Sequence, residues 1–353
     1  MKRLLPVLMV IIVVVASVLA GCSKAAPAPV PAPAPAPAPA PKAPVILRLV
    51  VPAPPGDMLT VKDEELSARI KERTSGAYEI KIFPGEQLAK IPEYLDAVRT
   101  GAVEIMDVAW GIYGGLDPRI GASEIPFLFT GVEASAAAMD QLLPLHDKVF
   151  MEKFNQKALA VFTTGGMEVE STKSVKALAD WKGLLVGAIN PQLAALTSIL
   201  GGSSVVVMWT DLYSNLEKGV IDATMSGTQG AMNTKLTDVI DYVTIFYGST
   251  GSNAYNINLD VWKAMPADVQ NIFIEETRKT ASTMNDTFVR LHDEDITKLK
   301  GMGIDVYVLP KDERARWAQL VQPYINEQLN GLGDFGQQIK AIADKVNAQY
   351  PYK

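Results

Sequence analysis

From Ile46 onward, apolar runs of strand length alternate with amphipathic stretches of helix length, and this alternation constrains the fold more than any other feature of the chain. ILRLVVPAP, beginning at Ile46, reads as a buried strand closed by Pro54-Pro55-Gly56. Residues 59–75 read as a helix, with Leu66 and Ile70 on one face and a Glu65/Arg69 pair at i,i+4 on another, and Gly76 stops it. YEIKIF alternates strictly, which places Tyr78, Ile80 and Ile82 on one face of a second strand. Pro92 starts a helix with Leu95 and Val98 inward that ends at Gly101, and VEIMDVAW reads as a third strand. Such alternation predicts an α/β architecture with parallel pairing.

The middle of the chain repeats the pattern. LAVFTTGG, GLLVGAI and VVVMW read as strands, and residues 192–200 as a short helix between the last two. Thr210 is placed to cap a helix with Leu212 and Leu216 inward, closed by Gly219, and ATMSGT follows as a strand end and loop. Residues 266–300 read as one helix of about 50 Å at 1.5 Å per residue, too long for one small lobe, with Met284, Phe288 and Leu291 as its apolar stripe. IDVYVL is a late strand, and Trp317, Leu320, Val321 and Tyr324 mark a closing helix. Two sets of α/β units joined by crossing segments predict two lobes and a cleft. The expected division is lobe I at 46–165 plus about 254–293, and lobe II at 166–253 plus about 294–353.

The first 45 residues read differently. Lys2 and Arg3 precede the apolar run 4–20, the layout of an export signal and short for a permanent membrane span. Leu19-Ala20-Gly21-Cys22 resembles the lipobox of bacterial lipoproteins, in which the cysteine is acylated and becomes the mature N-terminus. The plainer alternative is an ordinary signal peptide followed by an inert thiol. The expected segments are a signal peptide at 1–21 and a lipidated Cys22 with an Ala/Pro linker at 22–45. Alternating proline favours extended polyproline II, so the linker could reach on the order of 60 Å from a membrane surface. Cys22 is the only cysteine, which excludes an intramolecular disulfide. The expected location is periplasmic or on the cell surface, anchored to a membrane by lipid.

Charge and motif content narrow the function. The formal net charge is −6, and removal of Lys2 and Arg3 makes it more negative still. No long basic run is present, which argues against nucleic-acid binding. His146 and His292 are the only histidines, each followed by an aspartate that helical geometry turns away from it. There is no HExxH, GxSxG, Walker loop or GxGxxG. Asp63-Glu64-Glu65 and Asp293-Glu294-Asp295 read as solvated helix faces rather than catalytic pairs. An enzyme is therefore the weaker reading, and neither a cofactor nor a metal site is expected.

WTDLYSNLEKGVIDA, residues 209–223, resembles the W-x-E-x-Y-x-A-L-x-x-G-V-x-D-[GA] signature of the solute-binding proteins of TRAP (tripartite ATP-independent periplasmic) transporters. Trp209, Tyr213, Leu216, Gly219 and Asp222 fall in register, with Asp211 in place of the usual Glu. ERTSGAYEIKIFPGEQL, RTGAVEIMDVAW, LDPRIGASEIPFLF and LADWKGLLV resemble further motifs of the same family in the same order. The resemblance spans about Ile46 to Tyr350. It implies a two-lobed, type II periplasmic-binding-protein-like fold with a long helix crossing both lobes. It also implies a small organic ligand held between the lobes and TRAP permease subunits as partners, with the anchor and rod as a tether.

Independently of the resemblance, Trp209-Thr210-Asp211 sets an aromatic at a strand's carboxyl end and a cap just after it, where ligands bind in open α/β sheets. Trp209, Tyr213, Trp110 and Tyr113 each read as cleft wall or core. Asp57 is counted with the ligand-binding residues. Asn190, Ser226, Thr228 and Gln229 stand in loops expected to border the cleft, where they would hydrogen-bond a ligand or serve as turn residues. Asp222 reads as a local pair or cap.

The resemblance also carries a departure. The family's carboxylate-clamping arginine falls at Gly187, and a second position, often arginine, falls at Glu168. No arginine occurs between Arg119 and Arg278. Lysine does not reproduce the bidentate fork of such a clamp. Met225 and Ser226 replace frequent acidic and asparagine positions. Three readings follow: another donor holds a carboxylate; the ligand is neutral, polyhydroxylated, aromatic or cationic; or the chain binds something other than a transport substrate. The alternatives in function are a binding protein of another tripartite or ABC importer and, in a different class, a divergent enzyme or sensor.

Overall fold

The computed structural model describes residues 43–352. The expected signal peptide, Cys22 and nearly all of the Ala/Pro linker lie outside the described residues. Among the described residues, no helix is long and apolar enough to cross a membrane.

β1 (Val45–Val51) pairs in parallel with β2 (Tyr78–Pro84) and β3 (Ile105–Val108), and α1 (Met58–Arg73) and α2 (Tyr94–Thr100) make the crossovers. The Asp57 carboxylate caps α1 by accepting from the Leu59 N–H at 2.8 Å. Lys71 and Arg73 occupy its last turn, the end of the helix dipole that favours cations. Gly101 ends α2 at φ 76°, a conformation most side chains resist.

α3 (Val132–Lys153) leads into β4 (Gln156–Ser171), which belongs to two sheets. From residue 156 to 166 it pairs antiparallel with β9 (Thr250–Asn258), which lies beside β3. From residue 167 to 171 it pairs antiparallel with β7 (Ala223–Gly227), and beyond β7 stand β5 (Leu185–Ala188) and β6 (Ser203–Val206). On its other edge it meets β8 (Tyr242–Ile245), which pairs with β10 (Asp305–Val308). The register shifts between Thr163 and Gly166, where β4 passes from one sheet to the other. The remaining helices are α4 (Pro191–Leu200), α5 (Leu212–Glu217), α6 (Thr228–Asn233), α7 (Leu259–Ala264), α8 (Ala267–Gly301), α9 (Lys311–Gly331) and α10 (Asp334–Gln349).

Each sheet is apolar on both faces. Leu66, Ile70 and Phe273 cover one face of the first, and Tyr94, Val98 and Phe150 the other. Val186, Leu193 and Trp317 lie on one face of the second, and Leu212, Leu216 and Val243 on the other. α8, at 35 residues, sends Met284 and Phe288 into the first half and Leu299 into the second. α3 also bridges: Ala138 and Leu142 share a core with Val186, whereas Met139 and Phe150 pack with Tyr94.

Several local expectations change. β3 ends at Val108 because Trp110 opens a 3₁₀ turn, and β6 likewise stops before Trp209. Thr210 is not a cap; Asp211 holds that position without a side-chain hydrogen bond. Arg69 does not pair with Glu65 but donates to Glu276 at 2.8 Å, joining α1 to α8. Leu320 is 47 % exposed, so the inward face of α9 is narrower than its periodicity suggests. Asp63 and Asp295 are buried and hydrogen-bonded within the protein, not solvated like their neighbours.

Candidate functional site

The carboxyl ends of β1, β3 and β5 point to one cavity of about 150 Å³, closed on the far side by α6. One water needs roughly 10–15 Å³ on this measure, so the space suits a molecule on the order of ten non-hydrogen atoms. The walls are largely apolar: Ala53, Met58 and Leu59 from the β1–α1 turn, Ile112 after β3, Ile189 after β5, and Phe288 from α8. The Trp209 indole lies close against Gly230, where a Cβ would meet its ring carbons at 2.4 and 2.8 Å.

Polar groups are few and oriented. Asn233 donates to Asp57 at 2.8 Å, and Gln229 donates to Asp295 at 2.6 Å. Asn253 donates to Asp107 at 3.1 Å. Each of these three lining amides thus has its nitrogen turned to a carboxylate, which leaves a carbonyl oxygen and one N–H for other partners. The Asn233–Asp57 bond also joins α6 to the start of α1 across the cavity.

Among the described residues no lysine or arginine lines the cavity, and Asp57 is its one charged side chain. Lys62 stands behind the wall, with its ammonium donating to Asp107, Asp63 and the Tyr255 hydroxyl. Burial pulls the Lys62 pKa down, but Asp107 and Asp63 outweigh it and hold the group charged. Its charge is thereby matched inside the protein. Burial pushes Asp63 up, against the pull of Lys62, and its Oδ2 has no partner.

Of the residues singled out in the sequence, Asp57, Trp209 and Gln229 line the cavity. Trp110 is fully buried, donates its indole N–H to Asn256 at 3.0 Å and stacks on His146 at 4.6 Å. Tyr113 donates to the Ile91 carbonyl at 2.7 Å from inside the same core. Asn190 caps α4, accepting from the Leu193 N–H and donating to Glu124. Thr228 donates to Asp295, Ser226 to Glu170, and Tyr213 packs beside Leu212 and Leu216. None of these six lines the cavity.

Gly187 and Glu168, the two positions that the resemblance singled out, also point elsewhere. A Cβ on Gly187 would meet Ile221 Cδ1 at 2.6 Å and Val207 Cγ2 at 3.2 Å, inside the apolar cluster under α5. Glu168 is buried and accepts from the N–H groups of Phe246 and Tyr247, and burial pushes its carboxyl up to about 7. Asp222 accepts from the Leu185 N–H and pairs with Lys173, the local role expected of it. Two groups stand out among the lining residues that sequence reasoning missed. Pro52–Pro54, Ala109 and Ile189 follow strand ends and were open to the carboxyl-end rule. Thr164, Asn253 and Phe288 come from the crossing strands and the crossing helix, which carry no local mark.

The family model for DctP, described as "Bacterial extracellular solute-binding protein, family 7", matches residues 52–331. The chain is 23 % identical over 299 residues to the C4-dicarboxylate-binding periplasmic protein DctP of Rhodobacter capsulatus, covering 82 % of this chain and 88 % of that one. It is 22 % identical to the 2,3-diketo-L-gulonate-binding periplasmic protein YiaO of Escherichia coli, over 67 % and 73 % of the two chains. Among solved structures, DctP7 of Bordetella pertussis, an extracytoplasmic solute receptor binding pyroglutamic acid, superposes with a TM-score of 0.80 at 20 % identity, covering 85 % of this chain and 99 % of that one. A TRAP periplasmic solute binding protein of Desulfovibrio salexigens with bound orotic acid gives 0.77 at 22 %, covering 86 % and 99 %. The fold is the two-lobed α/β architecture of these proteins.

Proposed function

Since this chain belongs to family 7 of the bacterial extracellular solute-binding proteins, the receptors of TRAP transporters rather than enzymes, we propose that it captures a small neutral or amine-bearing ligand and delivers it to a TRAP permease. The observation that carries the ligand class is the charge of the cavity wall, where Asp57 stands without any basic side chain. A dicarboxylate entering this space would be desolvated against apolar walls with no fixed positive partner, at a cost of several kcal/mol. Ligand hydroxyl, amide or ammonium donors would instead meet the carbonyl oxygens of Gln229, Asn233 and Asn253, and the Trp209 face would cover the ligand's apolar body.

A second reading keeps a carboxylate ligand. Each of the three lining amides retains one N–H, and together these could replace a guanidinium. A thermal-shift screen of C4-dicarboxylates, sugar acids, neutral polyols and small amines, followed by calorimetry at low and high salt, separates the two. Submicromolar binding of a dicarboxylate would overturn the neutral-or-amine reading; tight binding only among neutral or amine compounds supports it.

The lobes are assigned to 46–165 plus about 254–293 and 166–253 plus about 294–353, hinged where β4 changes sheets. The register shift at Thr163–Gly166 and the Gly165-Gly166 pair support this boundary, with α3 and α8 as the elements that persist across it. Delivery would be to a membrane-held permease, with the chain exported and tethered through Cys22. The LAGC junction and the Ala/Pro run after it support that tether.

A further inference from the structure

Behind the cavity wall, Lys62, Asp63, Asp107 and Tyr255 form a buried polar cluster. The antiparallel register sets Asp107 of β3 opposite Tyr255 of β9, and the two-residue period of a strand puts Asn253 on the Tyr255 face. α1 packs on that face, with Leu66 and Ile70 in the same core as Tyr255, and its Lys62 reaches the cluster. The ammonium directs its three N–H groups to Asp107, to Asp63 at 2.9 Å and to the Tyr255 hydroxyl at 2.7 Å. The second Asp107 oxygen accepts from Asn253 Nδ2 at 3.1 Å. Lys62 and Asp107 stand outside the cavity lining, whereas Asn253 is part of it.

We propose that Asp107 sets the polarity of this wall: pinned by Lys62, it holds the Asn253 amide with the nitrogen drawn back and the oxygen towards the ligand, so the wall selects molecules that donate hydrogen bonds. This role rests on the cavity being the ligand site proposed above. A carboxylate only accepts, so the arm of the Asn253 amide beside Asp107 has to be its nitrogen. The oxygen, with both lone pairs, is the arm left for a ligand. Asp107 is thus a positioning residue that acts through Asn253.

Lys62 gives the arrangement a predictable inverse. In Asp107→Asn the new amide keeps its oxygen on the ammonium, because its nitrogen there would set N–H against N–H. Its nitrogen therefore takes the place beside Asn253, and Asn253 can meet it only by turning its own oxygen back. The Asn253 nitrogen then faces the cavity, and the wall donates where it had accepted. The other two lining amides are held differently. Asn233 is held by Asp57, itself part of the wall, and Gln229 by Asp295, whose other partners are Thr228 and the half-exposed Lys298. Among the described residues, neither of these carboxylates pairs with a buried cation.

The test uses the full chain, labelled with nitrogen-15 at asparagine, and two probes of one length, succinate as acceptor and 1,4-diaminobutane as donor. Side-chain amide spectra follow both exchange and titration, and Asn253→Ser identifies the Asn253 signal by its loss. In the unliganded parent the Asn253 proton bonded to Asp107 should exchange with water about tenfold more slowly, or slower still, than those of exposed Asn326. Asp107→Asn should abolish that protection and raise the ratio of succinate to diaminobutane affinity by about tenfold, the scale of one hydrogen bond to a charged acceptor. Asp63→Asn is the control for field alone: it removes a carboxylate from the same cluster but leaves the Asp107–Asn253 bond, and should move the ratio less. Titration at about pH 8.5 keeps Asp63 ionised in the parent, since burial pushes its carboxyl up to about 7. The role is refuted if Asn253 is unprotected in the parent, if Asp107→Asn leaves it protected, if the ratio does not rise, or if Asp63→Asn raises it equally. The parent spectrum decides the orientation even where a variant fails to fold. A parent that prefers succinate would instead refute the ligand class proposed above, and the change of ratio in Asp107→Asn would still stand or fall on its own.

Discussion

Gly187→Arg tests where a side chain at position 187 points in this chain. The pleat of β5 turns Gly187 towards Ile221, Val207 and Leu212, with Ile221 Cδ1 only 2.6 Å from where a Cβ would stand. Overpacking a filled core costs about 1–3 kcal/mol. An unpaired guanidinium left in that cluster adds about 3–5 kcal/mol, the scale of an uncompensated buried charge. The sum is about 4–8 kcal/mol, and at roughly 2 °C per kcal/mol for a chain of this size Tm should fall by about 8 °C or more. Gly187→Ala meets the flexible end of Ile221 and, less closely, Val207 Cγ2 at 3.2 Å, and should cost about 1–3 kcal/mol. The assay is a thermal melt of both variants, with calorimetry against succinate for any that fold. If Gly187→Arg melted within a degree or two of the parent chain and gained succinate binding, the side chain would have to enter the ligand cavity, and the packing argument would be refuted.

Three further outcomes follow from the structure and sequence. Cys22→Ala should abolish incorporation of radiolabelled fatty acid, and undiminished labelling would remove the lipid anchor from the account. Asp57→Ala removes both the α1 cap and the bond to Asn233; it should cost about 1 kcal/mol from the cap alone and increase the radius of gyration in X-ray scattering of the unliganded chain, whereas an unchanged curve would mean that the Asn233 bond does not hold the cleft. Burial raises the carboxyls of Glu168 and Glu170 to about 7 and about 8 from an ordinary 4.5. The folded state therefore binds protons that the unfolded state has released, so this stabilisation is complete below pH 4.5 and is lost as pH rises through about 7 to 8. Melting temperature should fall across that window, and Glu168→Gln with Glu170→Gln should flatten the fall; an equally steep profile in the double variant would contradict it.

The architecture was legible because periodicity is a local signal. Leu66 and Ile70, Leu95 and Val98, and Met284 and Phe288 are all buried, as their spacing predicts. What was not legible depends on distant partners. Asp63 and Asp295 sit in acidic runs that look solvated, yet Lys62 with Tyr255 and Thr228 with Gln229 draw them inside. Arg69 had a suitable partner four residues away and took Glu276 instead, because α8 lies alongside α1.

The site divides the same way. Asp57 and Trp209 stand where strands hand over to helices, a place that can be read from a strand–turn–helix pattern. Thr164, Asn253 and Phe288 reach the cavity only because β4, β9 and α8 cross between the halves. Gly187 shows the limit of motif alignment. The resemblance points to this position, but the alternation of β5 would send any side chain placed there into the core.

The measurement that bears most directly on the account is the identity of the small molecule that leaves with the natively purified protein. Mass spectrometry of the denatured, extracted sample should find a neutral or amine-bearing compound on the order of ten non-hydrogen atoms, the size the cavity admits. A stoichiometric C4-dicarboxylate or sugar acid would contradict the account, and would mean that the amides of Gln229, Asn233 and Asn253 hold its carboxylates.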